Sequence, residues 1–279
     1  PNGAGKTTII SILTTTLSKT SGSINVAGFD LDTEEALIRQ NIGVIFQGPS
    51  VDENLTAEEN IRLHAMLYGL YPFRPLYSLM PAEYKTRVHE LAELLGIKNE
   101  LFDAIRTFSG GMRRKLEIVR SLMHKPKVLF LDEPTTGLDP ASRRDLWRYL
   151  MDICKREETT ILLTTHYLEE AETADRVAII NHGSIVLNGT PREIKRTLLQ
   201  DTIIVDSKNR AGLRQELRQF SDEVSGNGPF RILLPVYKEN DEEENSINAQ
   251  RIIQSIKTPL SVLDIDRPTL EQAYLKTIE

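Results

Sequence analysis

Gly3, Gly5, Lys6 and Thr7, in the opening run PNGAGKTT, are residue types that together can hold a phosphate group. Glycines let the backbone approach an anion so that consecutive N–H groups wrap it, and the helix behind adds roughly half a positive charge at its N-terminus. The stretch Asn2, Gly3, Ala4, Gly5, Lys6, Thr7 and Thr8 therefore reads as a phosphate loop. Lys6 would meet the β- and γ-phosphates, the Thr7 hydroxyl would coordinate Mg²⁺, and Thr8 would add a hydrogen bond nearby. A glycine-rich turn ahead of a helix is the plainer alternative. In the pattern G-x-x-x-x-G-K-S/T the first glycine would stand one place before Pro1, so the chain is expected to be truncated at its N-terminus.

Two carboxylates form a second candidate group. The apolar run VLFL delivers Asp132 and Glu133 to its end, and Pro134 cannot continue a strand ladder. Adjacent carboxylates at a buried strand end are costly unless a cation offsets them, and Mg²⁺ does so. Asp132 would hold the ion and Glu133 would polarise an attacking water, although a simple strand end also accounts for the pair. The third group is FSGGMRRK, where Ser109, Gly110 and Gly111 open a helix whose apolar side is Met112, Leu116, Val119 and Met123. That is a second helix start suited to an anion, or else a helix capped by Ser109. Arg113, Arg114 and Lys115 are also consistent with a plain solvated face.

The elements that must position these groups follow from hydrophobic spacing. A helix is predicted from Thr7 to about Leu17, a strand and turn in SGSINVAGFDL, and a strand in NIGVIFQ ending at Gln47. The region from about 56 to 125 is mainly helical, opened by TAEE as a capping box and carrying an amphipathic stretch over 82–95. Strands and helices then alternate through KVLFLDEP, 140–155, TTILLTTH and RVAIINHGSIVLNG, the last a strand pair turned at His182-Gly183. This order predicts an α/β fold with a largely parallel sheet buried on both faces, whose sites lie at the carboxyl ends of the strands. From about 201 the pattern is that of a small α+β domain, with 239–245 an exposed acidic loop and a last helix from Pro268. Domains are thus expected over 1–200 and 201–279.

Composition narrows the field. Hydrophobic residues at 40% and charged residues at 27% fit a globular protein rather than a disordered one. The net charge of −6 argues against broad nucleic-acid binding, which relies on Lys and Arg. No apolar run approaches the roughly 18 residues of a membrane span, so a link to a membrane would come through a partner. The single cysteine, Cys154, leaves no internal disulfide and fits a reducing compartment, most simply as a small residue facing the core.

The order of phosphate loop, IFQ, SGGM, VLFLDEP, GLDP and TTH resembles the ATP-binding subunit of an ABC transporter, over Pro1 to about Ile194. The resemblance implies a P-loop NTPase of the ABC ATPase fold with a helical subdomain. It also implies a head-to-tail homodimer or pseudo-dimer sandwiching two ATP molecules, each between the phosphate loop of one subunit and the Ser109-Gly110-Gly111 signature of the other. Gln47 would sense the γ-phosphate and Mg²⁺, Asp139 would lie at the dimer seam, and His166 would contact the γ-phosphate and help orient water. Taken singly, Gln47 is also a strand end, Asp139 a helix cap before Pro140, and His166 one of five histidines. Phe108 and Met112 stand where leucine and glutamine are usual. The methionine form and the ending DIDRPTLEQAYLK are similar to drug-resistance and polysaccharide exporters. In that family a buried strand and an adenine-stacking aromatic precede the loop, so the chain as it stands is expected to bind ATP weakly or not at all. The implied partner is a separate transmembrane permease at the cytoplasmic face of the membrane. Other readings are a soluble ABC-type ATPase acting on ribosomes or DNA, a P-loop kinase, and a non-catalytic regulatory cassette.

Overall fold

The computed structural model describes residues 1, 3–46, 48, 50–198, 201–220, 224–233 and 242–278. These fall into two compact units, Asn2–His166 and Tyr167–Glu279, the latter taking Pro1.

In the first unit, α1 (Lys6–Leu13) follows the loop, and a hairpin of β1 (Asn25–Val26) and β2 (Phe29–Asp30) turns at Ala27-Gly28, both at positive φ. α1 is shorter than the spacing predicts. The Thr14 hydroxyl donates to the Ile10 carbonyl at 2.8 Å and Thr15 adopts φ 61°, so a threonine run that competes for backbone carbonyls ends the helix before Leu17. α2 (Glu35–Asn41) leads into β3 (Ile42–Ile45). Then come the helical region, with α3 (Ala57–Leu67), α4 (Ala82–Leu94) and α5 (Gly110–Leu122), and afterwards β4 (Val128–Asp132), α6 (Pro140–Glu157) and β5 (Thr160–Thr164).

β3, β4 and β5 form a parallel sheet in that order, pairing Ile45 with Leu131 and Asp132 with Thr164. Leu129 and Leu131 face the helical region, packing with Leu116, Val119, Leu146 and Leu150, while Phe130 faces Ile10 and Ile38. Burial on both faces holds for the central strand. It does not hold for β5 at the edge, where Leu162 stays 38% exposed.

The helical region is sewn shut where the chain enters and leaves it. Thr56 and Glu59 form the capping box, the Thr56 N–H donating to Glu59 Oε2 at 2.8 Å and the Glu59 N–H to Thr56 Oγ1 at 3.2 Å. Beside it, Glu58 N–H donates to the Leu101 carbonyl at 2.7 Å and Ile105 N–H to that of Leu55 at 3.1 Å.

In the second unit, α7 (Leu168–Ala171) precedes an antiparallel pair, β6 (Val177–Asn181) and β7 (Ser184–Gly189), turned at His182-Gly183 as predicted. α8 (Pro191–Leu198) follows. β8 (Thr202–Asp206), α9 (Arg210–Leu217), β9 (Phe230–Leu233), α10 (Glu242–Ser255) and β10 (Val262–Asp266) build a three-stranded antiparallel sheet, order β10-β8-β9, over a core of Ile203, Val205, Leu213, Leu217, Phe230 and Ile232. α10 begins inside the acidic run predicted as a loop, as suits acidic residues at a helix N-terminus; residues 239–241 lie outside the described residues. α11 (Leu270–Ile278) returns to the earlier elements: Leu270 and Ala273 pack with Ile179 and Ile194, and Leu270 N–H donates to Glu172 Oε1 at 2.9 Å. Among the described residues no helix is long and apolar enough to cross a membrane.

Candidate nucleotide site

The loop ahead of α1 has the backbone that anion binding needs. Gly3 (φ 76°) and Gly5 (φ 106°) take left-handed conformations that a side chain disfavours, and a Cβ built on Gly3 would meet nothing within 4 Å. Gly5 is the N-cap of α1 and supplies no side-chain cap, an arrangement that suits an anion at the helix start. Ala4 is buried and anchors the loop, Lys6 is half-buried, and Thr7 and Thr8 are exposed. Asn2 lies outside the described residues.

Thr7, early in α1, reaches the end of β4. Its hydroxyl donates to Asp132 Oδ2 at 2.9 Å, and the Thr164 hydroxyl on β5 donates to Asp132 Oδ1 at 2.5 Å. Asp132 is 3% exposed, so its two oxygens are held by hydroxyls from two elements. A hydroxyl and a carboxylate converging in this way suit Mg²⁺, which takes one or two protein oxygens and leaves its other positions to phosphate and water. The residues present therefore fit the ion.

Glu133 follows with φ 47°, a strained conformation for a non-glycine residue, held by its N–H donating to the Thr164 carbonyl at 3.2 Å and hydroxyl at 3.1 Å. Its carboxylate accepts from the Thr136 hydroxyl at 3.2 Å, and His166 Nδ1 lies 3.5 Å from Glu133 Oε2. Glu133, just past β4, and His166, just past β5, 33 residues apart in sequence, are thus neighbours. Thr164 went unrecognised in the sequence; its position two before His166 in TTH is the available signal.

The second helix start is capped from within. Ser109 is the N-cap of α5 and its Oγ accepts from the Met112 N–H at 3.2 Å. Asp139 caps α6 likewise: Oδ1 accepts from Ala141 and Ser142 N–H at 3.0 and 3.1 Å, and Oδ2 from the Ser142 hydroxyl at 2.5 Å. These bonds, those from Ser142 first, hold the Asp139 carboxyl below the usual range. A Cβ on Gly111 would lie 3.5 Å from Ser142 Oγ, whereas one on Gly110 would meet nothing. SGGM and GLDP, 28 residues apart between Ser109 and Gly137, therefore share one patch. Gln47 lies outside the described residues.

The basic run after the signature is not a solvated face. Arg114 is 8% exposed, and its guanidinium donates to the carbonyls of Phe46 (2.9 Å), Asp132 (3.2 Å) and Pro134 (3.1 Å) and to Glu117 Oε2 (2.8 Å). The ends of β3 and β4 bring these three carbonyls together, and a planar five-donor group can satisfy several at once. Arg113 pairs with Glu53, and the Lys115 ammonium lies 4.7 Å from the centroid of the Tyr149 ring.

The family profile described as ABC transporter matches residues 1–136. The chain is 42% identical over 218 residues to the daunorubicin/doxorubicin resistance ATP-binding protein DrrA of Streptomyces peucetius, covering 76% of this chain and 62% of that protein. It is 34% identical over 278 residues to the daunorubicin resistance ATP-binding protein DrrA3 of Streptomyces coeruleorubidus, covering 99% of this chain and 84% of the relative. The chain belongs to the ATP-binding subunits of ABC transporters. A solved ATP-binding subunit of an ABC transporter superposes with a TM-score of 0.58 at 32% identity, over 71% of this chain and 78% of its own. The α/β fold is accordingly that of an ABC ATPase, an ATP-hydrolysing subunit whose activity is coupled to transport.

Proposed function

We propose that this subunit powers export through a separate membrane-spanning permease, to which it binds peripherally at the cytoplasmic face of the cell membrane. Two copies, or one copy and a second ATP-binding subunit, face each other head to tail. Each ATP then lies between the loop Asn2–Thr8 of one subunit and Ser109, Gly110 and Gly111 of the other, with Asp139 at the seam. ATP closes the pair and hydrolysis reopens it, because ATP binds the closed state more tightly.

Thr7 and Asp132, with Gln47, would hold Mg²⁺; bound there, the ion supplies a positive charge that stabilises the phosphoryl oxygens. Glu133 takes the proton of the attacking water, and His166 orients that water at the γ-phosphate. The convergence of Thr7 and Thr164 on Asp132, with Glu133 next in the chain and His166 beside it, is the observation that carries this reading. The drug-resistance names of the relatives support export as the direction.

In the full-length protein with its permease, Glu133→Gln should lower ATP turnover about 10²–10⁴-fold, the scale of losing a general base, and favour a nucleotide-trapped dimer. Unchanged turnover would remove Glu133 from the reaction.

A further inference from the structure

α5 does more than present the signature. Its residues grip the chain on both sides of Gln47 and on both sides of Glu133. Arg114 donates to the Phe46 carbonyl, immediately before Gln47, and to the carbonyls of Asp132 and Pro134, which flank Glu133. Glu117, one turn on and 3% exposed, accepts from Arg114 through Oε2. Through Oε1 it accepts from both the N–H and the hydroxyl of Ser50, at 2.8 and 2.9 Å. Arg120, a further turn along, donates to the Ser50 carbonyl and hydroxyl. One helix face, Arg114, Glu117 and Arg120 at i, i+3 and i+6, thus binds the chain before and after Gln47 and braces the strained Glu133.

We propose that the buried Arg114–Glu117 pair, acting with Ser50, is a positioning unit that locks the signature helix to Glu133, Phe46 and Ser50. A nucleotide engaged at the signature of a subunit thereby sets the geometry of that subunit's own hydrolytic groups. The inference rests on the ATPase reading above and goes beyond it by naming the residues that connect the two nucleotide sites. An apolar helix face would pack α5 equally well. A charge pair whose guanidinium donates to these carbonyls and whose carboxylate accepts from Ser50 fixes their position instead.

The test uses the full-length protein with its permease, measuring ATP turnover against ATP concentration. Ser50 is exposed, so Ser50→Ala should fold normally while removing the hydroxyl shared by Glu117 and Arg120. The expected result is a kcat lower by about 3–10-fold, a KM within about twofold and a Hill coefficient falling toward one, the size typical of residues that couple sites without touching ligand. Ser50→Thr, which keeps the hydroxyl, should restore both values. Glu117→Gln should give a similar fall, and the double variant should be no worse than the poorer single one. A Ser50→Ala protein with kcat within about twofold of wild type and an unchanged Hill coefficient would overturn the proposal, as would Ser50 and Glu117 effects that simply multiply. If Glu117→Gln does not fold, the Ser50 pair decides alone. Absence of turnover in the wild-type complex would overturn the ATPase reading and this proposal together, and so differs from every outcome that overturns the proposal alone.

Discussion

Replacing Arg114 by Met keeps the length and most of the volume of the side chain but removes its donors. Three backbone carbonyls, of Phe46, Asp132 and Pro134, then lose a charged partner, and the Glu117 carboxylate keeps its burial without its nearest cation. Each unsatisfied buried acceptor costs about 1–3 kcal/mol, and breaking a buried ion pair from one side costs about 3–5 kcal/mol. These penalties overlap, because water admitted to one carbonyl serves the others, so the net expectation is about 3–5 kcal/mol. For a domain of this size each kcal/mol moves Tm by about 2–4 °C, giving a fall of about 6–20 °C by calorimetry or urea denaturation. Adding Glu117→Gln neutralises the stranded carboxylate and should recover about 1–2 kcal/mol of the loss. A single variant destabilised by less than about 1 kcal/mol, or a double variant less stable than the single, would show that Arg114 does not carry the load assigned to it.

The pH dependence of stability should be set first by histidines. Burial, then the charges of Arg120 and His124, push His64 down to about 3, and burial also lowers His124. Below the unfolded-state value near 6.5 the unfolded chain binds protons that the folded chain refuses. Stability from His64 is therefore fully present above pH 6.5 and is lost on acidification toward 3, by about 1.4 kcal/mol per pH unit. Urea denaturation at pH 7, 6 and 5 measures the slope; a flat profile, or one unaltered by His64→Phe, counts against it. At the signature, a Cβ on Gly110 meets nothing within 4 Å, so Gly110→Val should leave Tm within about 2 °C while lowering turnover of the assembled transporter by about tenfold or more. Normal turnover in that variant would argue that nothing docks there.

Much of the site was legible because its chemistry depends on residue types at short spacing. Gly3, Gly5, Lys6 and Thr7, the pair Asp132 and Glu133, and the Thr56–Glu59 capping box each occupy one local stretch, and the structure gives each the backbone its pattern demands. What escaped was long-range. Arg114 looks like its neighbours Arg113 and Lys115 along the sequence, and only the meeting of α5 with the ends of β3 and β4 makes it a buried hub. Thr164 likewise gains its meaning from the register that sets it opposite Asp132. The early end of α1 reflects a local competition, Thr14 with Ile10, that hydrophobic spacing does not register. The last helix was legible as a helix, but its packing on Ile179 and Ile194 rather than on the nearby small sheet depends on contacts no linear pattern records.

The paired stitches at Thr56–Glu59 and at Leu101–Ile105 bring the two necks of the helical region side by side. A region whose entry and exit are pinned side by side can be redecorated at its exposed positions between those stitches with little disturbance to the strands that carry the carboxylates. Evolution can on that account refit the same engine to a different chassis, altering what it is bolted to while the combustion chamber stays as it was.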